Sequence, residues 1–158
     1  MTALIRGAIA GSIGTWIMDL TTTGLQQNQS KESAAREKAA QPNGKSSIEN
    51  LVDRMEGMTG RKLGAGQRSV LMQSIHYALG AVPGALYATL RNRVPFVGMG
   101  GGLVYGAALF VVNDEWLNSQ LGLSGPVQAY PIGTHLRGLV GHLVLGSATD
   151  SVADLLGA

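Results

Sequence analysis

The sequence predicts an all-α fold: an integral membrane four-helix bundle with a short amphipathic interfacial helix in its first linker. Three observations carry that expectation. Charged residues make up 14% of the chain, against about 25% in ordinary soluble domains. The polar residues crowd into one stretch, 26–68, which dilutes an otherwise apolar chain to a mean hydropathy of +0.14. Glycine is abundant, with 23 copies, and it recurs at four-residue spacing inside the apolar runs.

The elements follow in order, within a single membrane domain spanning 1–158. The first span, 4–25, is basic and then apolar, as a signal peptide is. Trp16-Ile17-Met18-Asp19 offers no small-residue cleavage site, so the segment reads as a retained helix. The polar linker, 26–68, divides in two. Residues 26–45 read as loop or frayed helix. In 46–58, Ile48, Leu51, Val52, Met55 and Met58 recur at helical spacing behind a Ser46–Glu49 capping box. That amphipathic helix suits the membrane surface or the mouth of the bundle, and Thr59-Gly60-Arg61-Lys62 marks its stop.

The second and third spans, 69–90 and 94–112, carry no formal charge and flank the basic turn Arg91-Asn92-Arg93, so they predict a helical hairpin. At about 1.5 Å per residue each approaches the roughly 30 Å hydrocarbon thickness of a bilayer. An interfacial loop, 113–135, follows, with Asp114, Glu115, Trp116, Pro126, Tyr130 and Pro131 as acidic residues, aromatic anchors and turn-formers. The fourth span is 136–156. The linker's eight Lys and Arg argue for a cytoplasmic linker, while the compact Arg91–Arg93 turn argues for the opposite orientation.

Helix packing is predicted at Gly7 and Gly11, Gly80 and Gly84, and Gly98, Gly102 and Gly106, each set spaced four apart. In lipid such spacing lets backbones approach closely. In a soluble helix each glycine would cost about 1 kcal/mol relative to alanine.

Candidate chemistry rests on ionisable residues within or beside the spans: Asp19, His76, Asp114, Glu115, His135, His142 and Asp150. His76 shares a helix face with Gly80, Pro83 and Tyr87. His135, Gly138, His142, Gly146 and Thr149 share another, and Ser12, Thr15, Asp19 and Thr22 form a polar stripe. Asp19 and Asp150 fit either the headgroup layer or the bundle interior. Convergent stripes would make a polar axis suited to interhelical packing, to proton or small-solute traffic, or to a divalent metal.

Other classes fall away. With no cysteine, thiolate chemistry is excluded, and a net charge of +2 does not suit nucleic acid. There is no His-x-x-x-His or His-Glu-x-x-His spacing, so no metal or other cofactor is expected. Gly98–Gly102 lies in an apolar run and lacks the Lys-Ser or Lys-Thr of a phosphate loop. Ser124 and Ser151 have no evident base. No enzyme is predicted.

Several blocks, in order, resemble the YagU-like (DUF1440) family of small bacterial inner-membrane proteins. They are Gly11 to Asp19, Thr59 to Leu63, His76 to Tyr87, Asn113-Asp114-Glu115, Leu121-Gly122-Leu123 leading to Ala129-Tyr130-Pro131, and Thr134 through Val144. The resemblance implies a multi-pass inner-membrane protein with a proposed tie to acid tolerance. The linker, rich in Gln, Ala and Lys, departs from it. The leading expectation is a non-catalytic accessory or scaffold subunit, its partners the lipid bilayer and other membrane proteins or copies of itself. The alternative is a small channel or proton-linked carrier using the His, Asp and Glu axis.

Overall fold

The structure, a computed structural model, describes residues 1–158 and is helical throughout, without strands. Helix α1 spans Ala3–Gln27, α2 Lys31–Ala40, α3 Ser47–Thr59 and α4 Ala65–Leu90. Helix α5, Leu103–Leu109, continues without a break as a π-helix, Phe110–Leu117, and a last α-helical turn, α6, Asn118–Gln120. Helix α7 is Ile132–Leu155. The long helices run antiparallel to their neighbours. α1 is the hub, packed against α4 on one side and α7 on the other, and α5 packs on α7.

These seams are built backbone against backbone. A Cβ placed on Gly84 would lie 2.6 Å from the Gly7 carbonyl and 2.7 Å from Gly11 Cα. Gly11 meets the Gly80 carbonyl in the same way, and Gly14 meets Thr149 and the Leu145 carbonyl on α7. On the other side of α7, Gly106 abuts the His142 carbonyl and Gly146 the Gly102 carbonyl. So Gly7, Gly11, Gly80, Gly84, Gly102 and Gly106 all serve close packing within the chain, and Gly14, Gly138, Gly141 and Gly146 join them. Gly98 does not. It lies outside any helix, and a Cβ there would meet nothing closer than 3.4 Å.

The reason corrects the predicted third span. Residues 94–102 form turns, with Gly100, Gly101 and Gly102 all at positive φ, and the helix begins only at Leu103. Four glycines within five positions, Gly98 and Gly100–Gly102, outweigh the apolar character of the run. At its other end the same helix passes through Asp114, Glu115 and Trp116 to Gln120, where the sequence predicts the start of a loop. Nor do α4 and α5 form a packed hairpin. They make almost no contact beyond a stack of Tyr87 on Tyr105, with ring centroids 4.4 Å apart.

The linker is more ordered than its composition suggests. Ser30 caps α2, which lies in the stretch read as loop or frayed helix. Helix α3 has the expected capping box, Ser46 with Glu49, and ends on Gly60 in the left-handed region. Val52 is fully buried, and the Asn50 amide donates to the Pro42, Lys45 and Leu123 carbonyls at 3.2, 3.2 and 3.0 Å. Arg54 donates to the Leu121 carbonyl at 2.8 Å. Helix α3 and the 121–130 segment therefore fold together over one end of the bundle as a cap.

The bundle is small inside and large outside. Buried positions on α1, α4 and α7 are mostly glycine, alanine and threonine. Leu4, Ile9, Trp16, Leu20, Val82, Leu86, Leu136 and Val140 face outward. The accessible surface is 8960 Å², where a compact monomer of this mass would expose about 7,500 Å². No helix is long and apolar enough to cross a membrane. The uncharged run 94–112 is broken by the turns at 94–102, while α1, α4 and α7, at 25, 26 and 24 residues, are diluted by glycines and by polar or ionisable side chains.

Candidate functional site

Between the four long segments, where α4 and the π-helix stand apart, lies a cavity of about 560 Å³. The cap, through Ile48, Leu51 and the 121–130 segment, lines one end of it. All three histidines of the chain face this space.

Each histidine meets a carboxylate from a different helix. His76 Nε2 on α4 lies 2.8 and 3.0 Å from the two carboxylate oxygens of Asp19 on α1. His135 Nδ1, on the first turns of α7, lies 2.6 Å from Glu115 Oε1 on the π-helix. His142 Nδ1 donates to the Gly138 carbonyl at 3.0 Å and sits 3.7 Å from Asp114 Oδ2. A carbonyl or an ionised carboxylate can only accept, so the facing ring nitrogen carries the proton in each case. That leaves Nδ1 of His76 and Nε2 of His135 and His142 to take up a second proton, with a carboxyl group beside each ring.

The π-helix helps to place the acids. Wide turns of this kind occur mostly as short insertions in α-helices and frequently at functional sites, and this one carries Asn113, Asp114 and Glu115 as cavity residues. Helix α1 contributes less than its polar stripe promises. Ser12, Thr15 and Thr22 donate back to the carbonyls of Ala8, Gly11 and Met18 within their own helix, and Asp19 alone reaches across.

Six of the seven predicted polar residues thus gather at one cavity: His76, Asp114, Glu115, His135 and His142 line it, and Asp19 stands behind His76. Asp150 does not join them. At the end of the bundle away from the cap it accepts from Tyr87 Oη at 2.5 Å and from Arg91 Nη1 at 2.8 Å, while Arg91 also binds Asp154 and the Ala158 carbonyl. No three His, Asp or Glu side chains are grouped to hold a metal ion.

Sequence reasoning missed one participant. Arg137 lines the cavity and is bound by Glu37 of α2 at 2.6 Å and Gln29 at 3.1 Å. Burial alone would raise the Glu37 pKa, but hydrogen bonds from Arg137, Gln29 and Thr134 outweigh it and hold the carboxyl below its ordinary value. No spacing signal joins a linker glutamate to an arginine 100 residues away.

No known protein family, curated protein or solved structure matches the chain.

The cap has its own pH response. Hydrogen bonds from Ser46 hold Glu49 below its ordinary value, and those from Lys45 and Arg68 do the same for Asp53. The Leu63 amide and Lys62 lower Glu56. Groups lowered in the folded state stabilise it fully above their unfolded pKa, and that stability is lost as pH falls through the lower folded values. The cap is therefore expected to loosen below about pH 4. Hydrogen exchange at residues 47–63 is the measurement; equal protection at about pH 3 and about pH 7 would contradict the assignment.

Proposed function

We propose that this chain is a small multi-pass membrane protein acting as a proton-linked carrier, with the cavity as its transit site. The observation that carries the reading is the convergence of three histidine–carboxylate pairs, each bridging two elements, on one cavity between the helices. Histidine changes charge between about pH 5 and 8 when unperturbed, which makes it the usual group for proton uptake and release. Ionisable residues that face the interior of a membrane bundle commonly mark such pathways.

The bilayer itself is supported by the inverted arrangement of side chains. Without a hydrophobic drive between helices, association in lipid depends on close backbone approach, and small residues fill the seams. Here glycines fill them and leucine, isoleucine, valine and tryptophan point outward. The resemblance to the YagU-like family would place the protein in the bacterial inner membrane, and its tie to acid tolerance accords with proton traffic.

An accessory or scaffold role is less well supported than the sequence suggests. The glycine faces expected to meet partners are occupied within the chain, and α3, the other expected contact surface, is folded onto the cap.

Two measurements test the reading. The protein is expected to resist alkaline carbonate extraction from membranes; release into the supernatant would remove the bilayer from the argument. In liposomes with a pH-sensitive dye inside, the purified chain is expected to speed proton entry under an imposed potential. His76→Gln and His142→Gln, with helicity retained, are expected to bring entry down to that of empty liposomes. Unchanged flux in both variants would defeat the carrier reading.

A further inference from the structure

We propose that the solute taken up by this cavity is a lipophilic organic cation, bound in competition with protons on the three histidines. The inference deepens the carrier reading and rests on it for the assumption that the cavity is a transit site.

Charge comes first. The acids at the cavity are Asp114 and Glu115 directly, Asp19 behind His76, and Glu37 behind Arg137. The only permanent cation among them is Arg137, already bound by Glu37 and Gln29. With neutral imidazoles and ionised carboxyls the set is strongly negative; with all three histidines protonated as well it is balanced. Protons and an external cation therefore neutralise the same carboxylates. An anion would face those carboxylates with the one guanidinium taken, and a neutral solute would gain nothing from proton release.

The walls select the kind of cation. Met18, Leu79, Phe110 and Leu145 line the cavity between the helices, and Ile48 and Leu51 line it at the cap. Calcium requires six to eight oxygen ligands, roughly, and magnesium a near-octahedral shell; no three acidic or imidazole side chains here are grouped closely enough to hold a metal ion. A cavity of about 560 Å³ has the size of a small-molecule site, and such sites are mainly apolar with a few placed polar groups. Two aromatic rings stand beside the pairs. Phe110, 5.8 Å from the His142 ring, and Tyr130, 6.3 Å from that of His135, both line the cavity, and aromatic rings attract organic cations.

The experiment is equilibrium dialysis of the purified full chain, in a neutral detergent, with tetraphenylphosphonium and with tetraphenylborate, ions of like shape and opposite sign. The phosphonium is expected to bind near one per chain at about pH 8 and about tenfold more weakly at about pH 5.5, as expected if histidine charge opposes it. The borate is expected not to bind. Glu115→Gln and Asp114→Asn are each expected to weaken phosphonium binding by about tenfold, the scale of one charge interaction at a partly solvated site. Equal binding of both ions, or phosphonium affinity independent of pH, would overturn the proposal, and neither comparison needs a variant to fold. Absent phosphonium binding together with intact proton flux would overturn this proposal while leaving the carrier reading standing. Sign-selective, pH-dependent binding without proton flux would do the reverse.

Discussion

Gly84→Ala is expected to lower the stability of the bundle by about 3 kcal/mol, the upper part of the usual range for overpacking a tight interface. The added methyl has nowhere to go. Its neighbours are the Gly7 carbonyl, Gly11 Cα and Gly11 N, at 2.6, 2.7 and 3.0 Å, all backbone. Unlike a side-chain tip, helix backbone cannot step aside, so α1 and α4 must separate and lose contact along their length. Gly66→Ala is the control. It lies in the same helix with nothing within 4 Å of the new Cβ, and alanine there is expected to be neutral or to stabilise by up to about 1 kcal/mol. Denaturation of the purified variants in mixed micelles measures both. Equal midpoints would mean that the α1–α4 seam is not the close backbone contact described above.

Arg91→Ala carries the second large effect. The Arg91 side chain is 8% exposed and ties α4 to the end of α7 through Asp150, Asp154 and the Ala158 carbonyl. Removing it strands the Asp150 carboxylate, itself 18% exposed, beside the Tyr87 hydroxyl. Loss of one partner from such a pair costs about 3–5 kcal/mol. Asp154→Asn removes the other ion-pair partner, but that side chain is 67% exposed, so a loss within about 1 kcal/mol is expected. If the two variants melted alike, Asp150 would not depend on Arg91 for its place in the fold.

The contrast between these residues shows where sequence reasoning reaches and where it stops. Helix periodicity and local spacing located α1, α4 and α7 within a few residues, along with the α3 capping box. The same reasoning found which glycines mattered in α1 and α4, because four-residue spacing is a property of one helix. It failed at 94–102, where apolar character and backbone preference conflict and clustered glycines let preference win. It also missed the α-to-π continuation, since an acidic Asn-Asp-Glu run reads as a helix end until His135 and His142 on another helix give the acids partners. The candidate site was legible as a list of ionisable residues. Its pairing was not, because Asp19 with His76 and Glu37 with Arg137 are contacts 57 and 100 residues apart, and only the packing of α1 and α2 on their neighbours creates them.

The glycine seams bear on how such a sequence can drift. Where side chains interlock, two neighbouring residues can change together and restore the fit. Where two backbones touch, no partner mutation makes room for an added carbon, so Gly11 and Gly84 have no route to exchange. The outward leucines and valines meet no such constraint and can replace one another freely. Over long descent the larger, more conspicuous residues would be rewritten while the spacing of the smallest ones persisted. Distant kin of this chain would then be recognised by the intervals between glycines, with little else on the surface left in common.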